Sequence, residues 1–516
     1  MALKVEHSNC KKNIAKNTLL LYIRMLFIMS ISLYTSRVIL KVLGIEDYGI
    51  YNVVGGVVIM FSFLSSAMSS STQRYITFEL GKKNFQQLQK VFNTCLYIHI
   101  FISVLIFILA ETIGLWFLQY KMSIPLERQE AAVWVYQCTI ISTLFLIINV
   151  PYNATIIAHE KMSAFAYISI FEVTIKLITV YLLYLGSFDK LKLYALLMLS
   201  IQLIINLTYS VYCRKKFQET KVQKIKKLDL NLFKELLNFT GWNLWGNCAG
   251  IAFTQGINIL LNIFFGPITN AARGIAVQVQ SAVNQFSYNF QTALNPQITK
   301  SYAAEDYNYM HNLIFKSSKF TFFLLLLLTL PIFFKTEIIL KLWLETIPNH
   351  TIQFLRLILC VTIIDAVANP LMTSATATGK IKKYQTIVGC TLLSILPISY
   401  ITLKLGGNPE SVFIVHLTIS IIAFIIRLSI VSQLIQLNIH TYIKKVIYRS
   451  LLVTIISLII PTIAENYINN TLIGLLQMTF CCIISSSISI YFYGLEPSEI
   501  QYINNKIRIL ANKIKK

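Results

Sequence analysis

The sequence predicts an all-α, polytopic membrane protein with about 14 transmembrane helices, arranged as two parallel six-helix repeats plus two additional helices. Three observations carry this. Of 516 residues, 55% are apolar and only 13% charged, with mean hydropathy +0.63, more apolar surface than a water-soluble chain of this size can bury. A transmembrane helix takes about 20 apolar residues, and fourteen such stretches can be placed along the chain. A shift of 222 residues, the span of six helices and their loops, brings like residues onto one another.

The stretches begin near Asn17, Tyr48, Val91, Ala131, Ser163, Leu191, Lys234, Ile268, Leu313, Thr351, Tyr384, Ser411, Val446 and Asn470, and the last ends near Tyr493. At about 22 residues each they leave loops averaging about 14, too short for a soluble catalytic domain. With the N-terminus placed in the cytoplasm, inner segments hold 31 Lys and Arg against 8 outside, while Asp and Glu divide 10 to 9. The bias belongs to the basic residues, as the positive-inside rule expects, and puts both termini in the cytoplasm. It also accounts for the net charge of +23 without nucleic acid, since no basic stretch outside the apolar segments is interleaved with aromatics as a nucleic-acid groove requires.

The longest connection, Cys213 to Lys234, carries eight Lys and Arg and reads as a linker lying on an anionic leaflet. The domains are therefore expected at 1–213 (an N-terminal six-helix bundle), 214–233 (a basic cytoplasmic linker), 234–440 (a second six-helix bundle) and 441–516 (two additional helices and a basic tail). Nine cysteines form no CxxC pair and fit neither a disulfide framework nor a zinc site, so no metal or cofactor is expected. Leu19 to Leu40 is too long for the apolar region of a cleavable signal.

The repeat is carried by Gly44 on Gly266, Val57 on Val279, Ser65 on Ser287, Ile76 on Ile298 and Thr77 on Thr299 at a shift of 222, and by Pro151, Ala158 and Lys161 on Pro370, Ala377 and Lys380 at 219. Six helices per copy is an even number, so both copies enter the membrane in the same direction. Transporters of this kind put the substrate path at the repeat interface. In helix eight, Arg273, Gln280, Asn284, Ser287, Gln291 and Asn295 are spaced 7, 4, 3, 4 and 4 and share a face. Ser62, Ser65, Ser69 and Gln73 of helix two hold the equivalent repeat positions from Asn284 to Asn295. Helix seven adds Asn243, Asn247, Gln255, Asn258 and Asn262, with Gly246 and Gly250 as a small-xxx-small pair. Such residues either bond neighbouring helices across a dry interface or line water; two stripes in register favour a wet, polar cavity.

Ionisable residues within the stretches each cost at least about 2.5 kcal/mol at mid-bilayer unless paired or hydrated. Glu172 and Lys176 are spaced for an intrahelical ion pair. Arg37, Glu111, Arg356 and Arg427 lie near boundaries and are expected to snorkel. Arg24, about 10 Å deep by helical rise, and Arg273 at the head of the stripe are the cavity cations. Asp365 either binds a coupling ion or proton or pairs with an arginine, and Glu172 is a second coupling candidate. His99 and His416 read as core histidines. An excess of arginine suits an anionic headgroup, because the guanidinium fork matches phosphate oxygens.

The stretches VLGIEDYGIYNVVGG (Val42 to Gly56), PYNATIIAHEKMSAFAYISIFE (Pro151 to Glu172), NIFFGPITNAARGIAVQVQ (Asn262 to Gln280) and NPQITKSYAAED (Asn295 to Asp306) resemble the Wzx-type polysaccharide (O-antigen) flippases of the multidrug/oligosaccharidyl-lipid/polysaccharide exporter superfamily. That resemblance implies a carrier in the bacterial inner membrane that turns undecaprenyl-pyrophosphate-linked oligosaccharide from the cytoplasmic to the periplasmic leaflet by alternating access. It also implies coupling to Na+ or H+ and a polysaccharide polymerase as partner. Arg24 and Arg273, with Arg37, would then hold the pyrophosphate, and Ser62, Ser65, Ser69, Asn247, Gln255, Asn258, Gln280, Asn284, Ser287 and Gln291 would bond the sugars. Two other readings stand beside it. A drug exporter of the same superfamily would want acidic residues in its cavity. A polytopic glycan polymerase or transferase would want a large outer loop, whereas the longest, about Lys335 to His350, is short and no GxxxxGK[ST] motif is present.

Overall fold

The computed structural model describes residues 17–501 and 504–505 except 33, 36–37, 40, 45–46, 48–49, 52–53, 55–61, 121–124, 184–188, 222–228 and 345–346. The side chains of residues 62–66 and of Pro267 are also outside the described part. Long helices make up nearly all of it. In chain order they are α1 (Asn17–Ser32), α2 (Ser62–Gly81), α3 (Phe85–Tyr120), α4 (Leu126–Ala158), α5 (Met162–Leu182), α6 (Lys190–Lys216), α7 (Leu230–Phe265) and α8 (Pro267–Ala303). They continue as α9 (Tyr307–Phe334), α10 (Thr351–Thr378), α11 (Lys382–Lys404), α12 (Glu410–Ile435), α13 (Ile439–Glu465) and α14 (Leu472–Gly494). A short helix, Thr336–Trp343, follows α9.

Eleven of these are long and apolar enough to cross a membrane. Of the three others, α1 is described over a shorter length, while α2 and α8 fall short because of composition. The two helices that carry the Ser and Asn/Gln stripes are thus the least suited to surrounding themselves with lipid. The rest expose Ile, Leu and Phe, as along α3 (Ile100, Phe101, Val104, Leu105, Ile108) and α14 (Leu476, Phe480, Phe492), which is what a hydrocarbon solvent selects.

Packing divides the chain into two compact units, Met1–Cys248 with Thr292–Tyr307 and Thr376–Thr386, and Ala249–Gln291 with Asn308–Ala375 and Ile387–Lys516. This differs from boundaries drawn at the linker, because the ends of α8 and α10 and the start of α11 pack with the first unit. The core of unit 1 joins α2, α3, α4, α6 and α7 through Met68, Phe92, Tyr152, Ile205 and Phe239. That of unit 2 joins α7 to α12 through Leu261, Ala276, Leu325, Phe354 and Phe413. The last two helices close on α9 at Phe323, Leu326, Val453 and Met478. Gly494 is required there, since a Cβ would sit 2.6 Å from the Phe323 ring.

Backbone conformation repeats at the offsets read from sequence. Left-handed φ occurs at Gly44 (79°) and Gly266 (78°), 222 apart, and at Lys83 (56°) and Glu305 (59°), also 222 apart. It recurs at Glu160 (58°) and Gly379 (77°), 219 apart. Pro151 in α4 and Pro370 in α10 match at the same offset. A proline inside a helix leaves the carbonyl four residues before it without its backbone donor; for Pro370 that carbonyl is Ala366, which accepts from Gln291 at 3.3 Å.

Candidate functional site

The richest polar assembly of unit 2 is built on α7 and α8. Arg273 is 5% exposed; its guanidinium donates to the Asn258 side-chain oxygen and, at 2.9 Å, to the Thr254 carbonyl. Asn258 in turn donates to Gln255 at 3.1 Å, and Gln255 is exposed. Both oxygens that receive Arg273 are neutral, so its charge is held in place without being cancelled. His416 of α12 packs edge-on against Phe253 at 5.3 Å and lies within electrostatic reach of Asp365 and Arg273. Asp365, at the middle of α10, is 3.4 Å from Arg427 of α12.

Further along α8 the predicted stripe divides. Gln280 donates to Thr362 of α10 at 3.1 Å, and Gln291 donates to Ser287 at 3.2 Å and to the Ala366 carbonyl at 3.3 Å. Ser287 and Gln291 are buried, and Asn295 is half-buried. These side chains bond α8 to α10 or to itself. Asn284 alone of the row is exposed, and it belongs to an adjacent exposed face formed by Gln278, Ser281, Asn284, Gln285 and Tyr288. The exposed amides thus lie one position aside from the row read in the sequence, and amides that bond helices share a periodicity with amides that face outward.

In unit 1, Arg24 is half-buried with its guanidinium 4.3 Å from the Phe165 ring centre, a cation–π contact. Arg37 lies outside the described residues, as do the side chains of Ser62 and Ser65; Ser69 and Asn247 are half-buried. Asn243 is buried, donating to Ser71 at 3.0 Å and accepting from Gln385 at 3.0 Å. Of the glycine pair, Gly246 faces the Gln385 amide, which a Cβ would meet at 2.1 Å and would displace; Gly250 has nothing within 4 Å and does not mark a close crossing.

Three boundary charges expected to snorkel bond to protein instead. Arg356 donates to the Phe333 carbonyl at 3.1 Å and lies over its ring at 5.2 Å, Arg427 pairs with Asp365, and Glu111 accepts from Gln137 at 3.2 Å. A fixed carbonyl or carboxylate nearby is a better partner than a distant headgroup. Glu172 and Lys176 form the expected pair at 2.6 Å. His99 is buried, with its ring bonded to the Cys95 carbonyl at 2.7 Å. Among the described residues no cluster of His, Cys, Asp and Glu could hold a metal ion. A cavity of about 430 Å³ lined by Glu337, Lys341, His350 and Gln353 involves none of the predicted residues.

Residues 21–182 match the sequence model of the MatE family. No curated protein matches the chain. Its fold is that of the MATE transporters. An outward-facing multidrug resistance MATE family transporter of the MOP superfamily superposes with a TM-score of 0.69 at 14% identity, over 82% of this chain and 96% of its own. A variant of the Vibrio cholerae MATE transporter VcmN gives 0.67 at 15% identity, over 83% and 98%. A MOP superfamily transporter from Pyrococcus furiosus, for which a binding pocket of reverse polarity suggests a different function, gives 0.65 at 15% identity, over 82% and 96%. These likenesses show the fold expected from sequence, while the family model covers residues 21–182 only. Nothing among them lends support to a lipid-linked oligosaccharide or to O-antigen synthesis.

Proposed function

We propose that this chain is a secondary carrier that moves an anionic amphiphile outward by alternating access, and that its cargo is a lipid-linked, pyrophosphate-bearing oligosaccharide. The observation that carries the reading is Arg273, a buried cation whose hydrogen-bond partners are all neutral, set on the helix whose exposed face is amide and hydroxyl. A buried charge without a counter-ion is costly, and an arriving phosphate relieves that cost. Within unit 2 the amides of α8 offer donors and acceptors for hydroxyl groups, and no covalent step is needed. Three acids of the spanning helices are already engaged: Asp365 by Arg427, Glu172 by Lys176 and Glu111 by Gln137. Coupling by H+ or Na+ would act at Asp365, where neutralising the carboxylate frees Arg427. Glu172, tied to a lysine one turn away, is the lesser candidate.

A second reading, an ion-coupled exporter of small organic cations, is favoured by the MatE match and by the multidrug transporters among the superposed structures. Against it stands the charge of the interior; the Pyrococcus furiosus relative supports the idea that pocket polarity varies on this fold. Depletion separates the two. Mass spectrometry and leaflet labelling of undecaprenyl-linked glycans should find a pyrophosphate-linked oligosaccharide accumulating in the inner leaflet. Unchanged lipid-linked glycans together with a gain in sensitivity to cationic drugs would establish the exporter.

A further inference from the structure

Four helix ends of unit 1 meet around two turns with left-handed backbone. At the α4–α5 turn, Glu160 (φ 58°) is 12% exposed; its carboxylate accepts from Lys300 at 2.5 Å and Gln297 at 2.6 Å, both on α8, while its carbonyl accepts from Asn17 of α1 at 3.2 Å. At the α10–α11 turn, Gly379 (φ 77°) lets the guanidinium of Arg74, on α2, lie where a Cβ would be only 2.7 Å from it. Arg74 is 8% exposed and donates to the Ala377 carbonyl at 3.3 and 3.1 Å. Its charge is also spread over the rings of Tyr75 and Phe78 at 4.4 and 4.7 Å. Between the two turns α2 and α8 touch backbone to backbone, since a Cβ on Gly81 would fall 2.7 Å from the Ala303 Cβ and 2.8 Å from the Lys300 carbonyl.

The arrangement is reciprocal. Helices α2 and α8 are counterparts at an offset of 222, and Glu160 and Gly379 at 219, so the end of the second helix of each repeat grips the turn after the fourth helix of the other. The Lys and Arg bias puts all these ends on the cytoplasmic side. One contact is a half-buried ion pair and the other a buried guanidinium on a carbonyl and two rings, each with a definite geometry that is lost as a unit when one partner goes.

We infer that these two reciprocal contacts, Lys300 and Gln297 on Glu160 and Arg74 on the Ala377–Gly379 turn, form a double latch that closes the cytoplasmic entrance and must open for cargo to enter. The inference rests on the carrier reading above but not on the identity of the cargo.

The test is a distance distribution between spin labels on Gln86→Cys and Lys383→Cys, both exposed positions outside the latch, in full-length protein with its native cysteines replaced, reconstituted without cargo. With the latch intact one short distance dominates. Glu160→Gln and, separately, Gly81→Leu should each raise a longer-distance population by about fivefold or more, the scale of a conformational coupling. The charge exchange Glu160→Lys with Lys300→Glu should restore the short distance. Unchanged distributions in both single variants, or failure of the exchange to restore the short distance in monodisperse protein, would overturn the latch. Loss of lipid-linked glycan movement without any change in this response would count against the cargo reading alone.

Discussion

Arg273 is held by two neutral oxygens at 5% exposure, so its charge is not cancelled while its position is fixed, and the proposed function makes it the partner of the cargo's anion. Replacing it by alanine is expected to lower transport at least tenfold, about 1.4 kcal/mol. Lysine should not restore it, because a point charge cannot reach Asn258, Thr254 and a phosphate together as the planar fork can. Initial rates in proteoliposomes, normalised to reconstituted protein, check both. Asn258→Ala, which leaves the charge but loosens its aim, should fall between. Residue types on α8 were legible in the sequence: the 7, 4, 3, 4, 4 spacing selected the helix, and the place at the head of that row selected Arg273. Orientation was not, since periodicity fixes a face only relative to itself. Thr362 and the Ala366 carbonyl on α10, which draw Gln280 and Gln291 inward, leave no mark in the sequence of α8. Glu160, Lys300 and Arg74 carry no spacing or motif that singles them out in the sequence, although the Pro151 to Lys161 match at 219 falls on the turn that holds Glu160.

At the scale of elements, the C-terminal helix pair is tied to α9 by a buried ion pair, Lys319 to Glu499 at 2.6 Å, with side chains 3% and 8% exposed. Glu499 also accepts from the Glu496 backbone amide at 2.8 Å. Lys319→Ala strands a buried carboxylate and should cost about 3–5 kcal/mol, whereas Lys319→Met with Glu499→Leu should cost far less, because what destabilises is the unpaired charge. Thermal unfolding of the detergent-solubilised variants distinguishes the two. Gly266→Ala forces a side chain into φ 78° with nothing nearby to clash, so its cost is the backbone term alone, about 1–2 kcal/mol. Helix limits were the most legible feature, because a bilayer imposes one length on every apolar run. Starts read at Ser163, Leu191, Ile268, Thr351 and Ser411 stand beside observed starts at Met162, Lys190, Pro267, Thr351 and Glu410. The packing units were not legible, since charge composition marks the 213–234 linker while contact follows the ends of α8, α10 and α11.

At the scale of the whole molecule, the chain has 45 basic and 22 acidic residues, and the proposed function reads the basic residues inside its helices as the partners of an anionic cargo. The outward-facing transporter superposes over 82% of this chain and 96% of its own. The central claim is that a MATE-type fold here serves an anionic amphiphile. The most direct measurement is the rate at which purified protein in liposomes brings a fluorescent pyrophosphate-linked oligosaccharide lipid to the outer leaflet, read by a membrane-impermeant quencher, beside uptake of an organic cation in the same preparation. Movement of the lipid that is lost in Arg273→Ala, with no cation uptake above empty liposomes, is the predicted result. Cation uptake that survives in Arg273→Ala, with the lipid immobile, would contradict it.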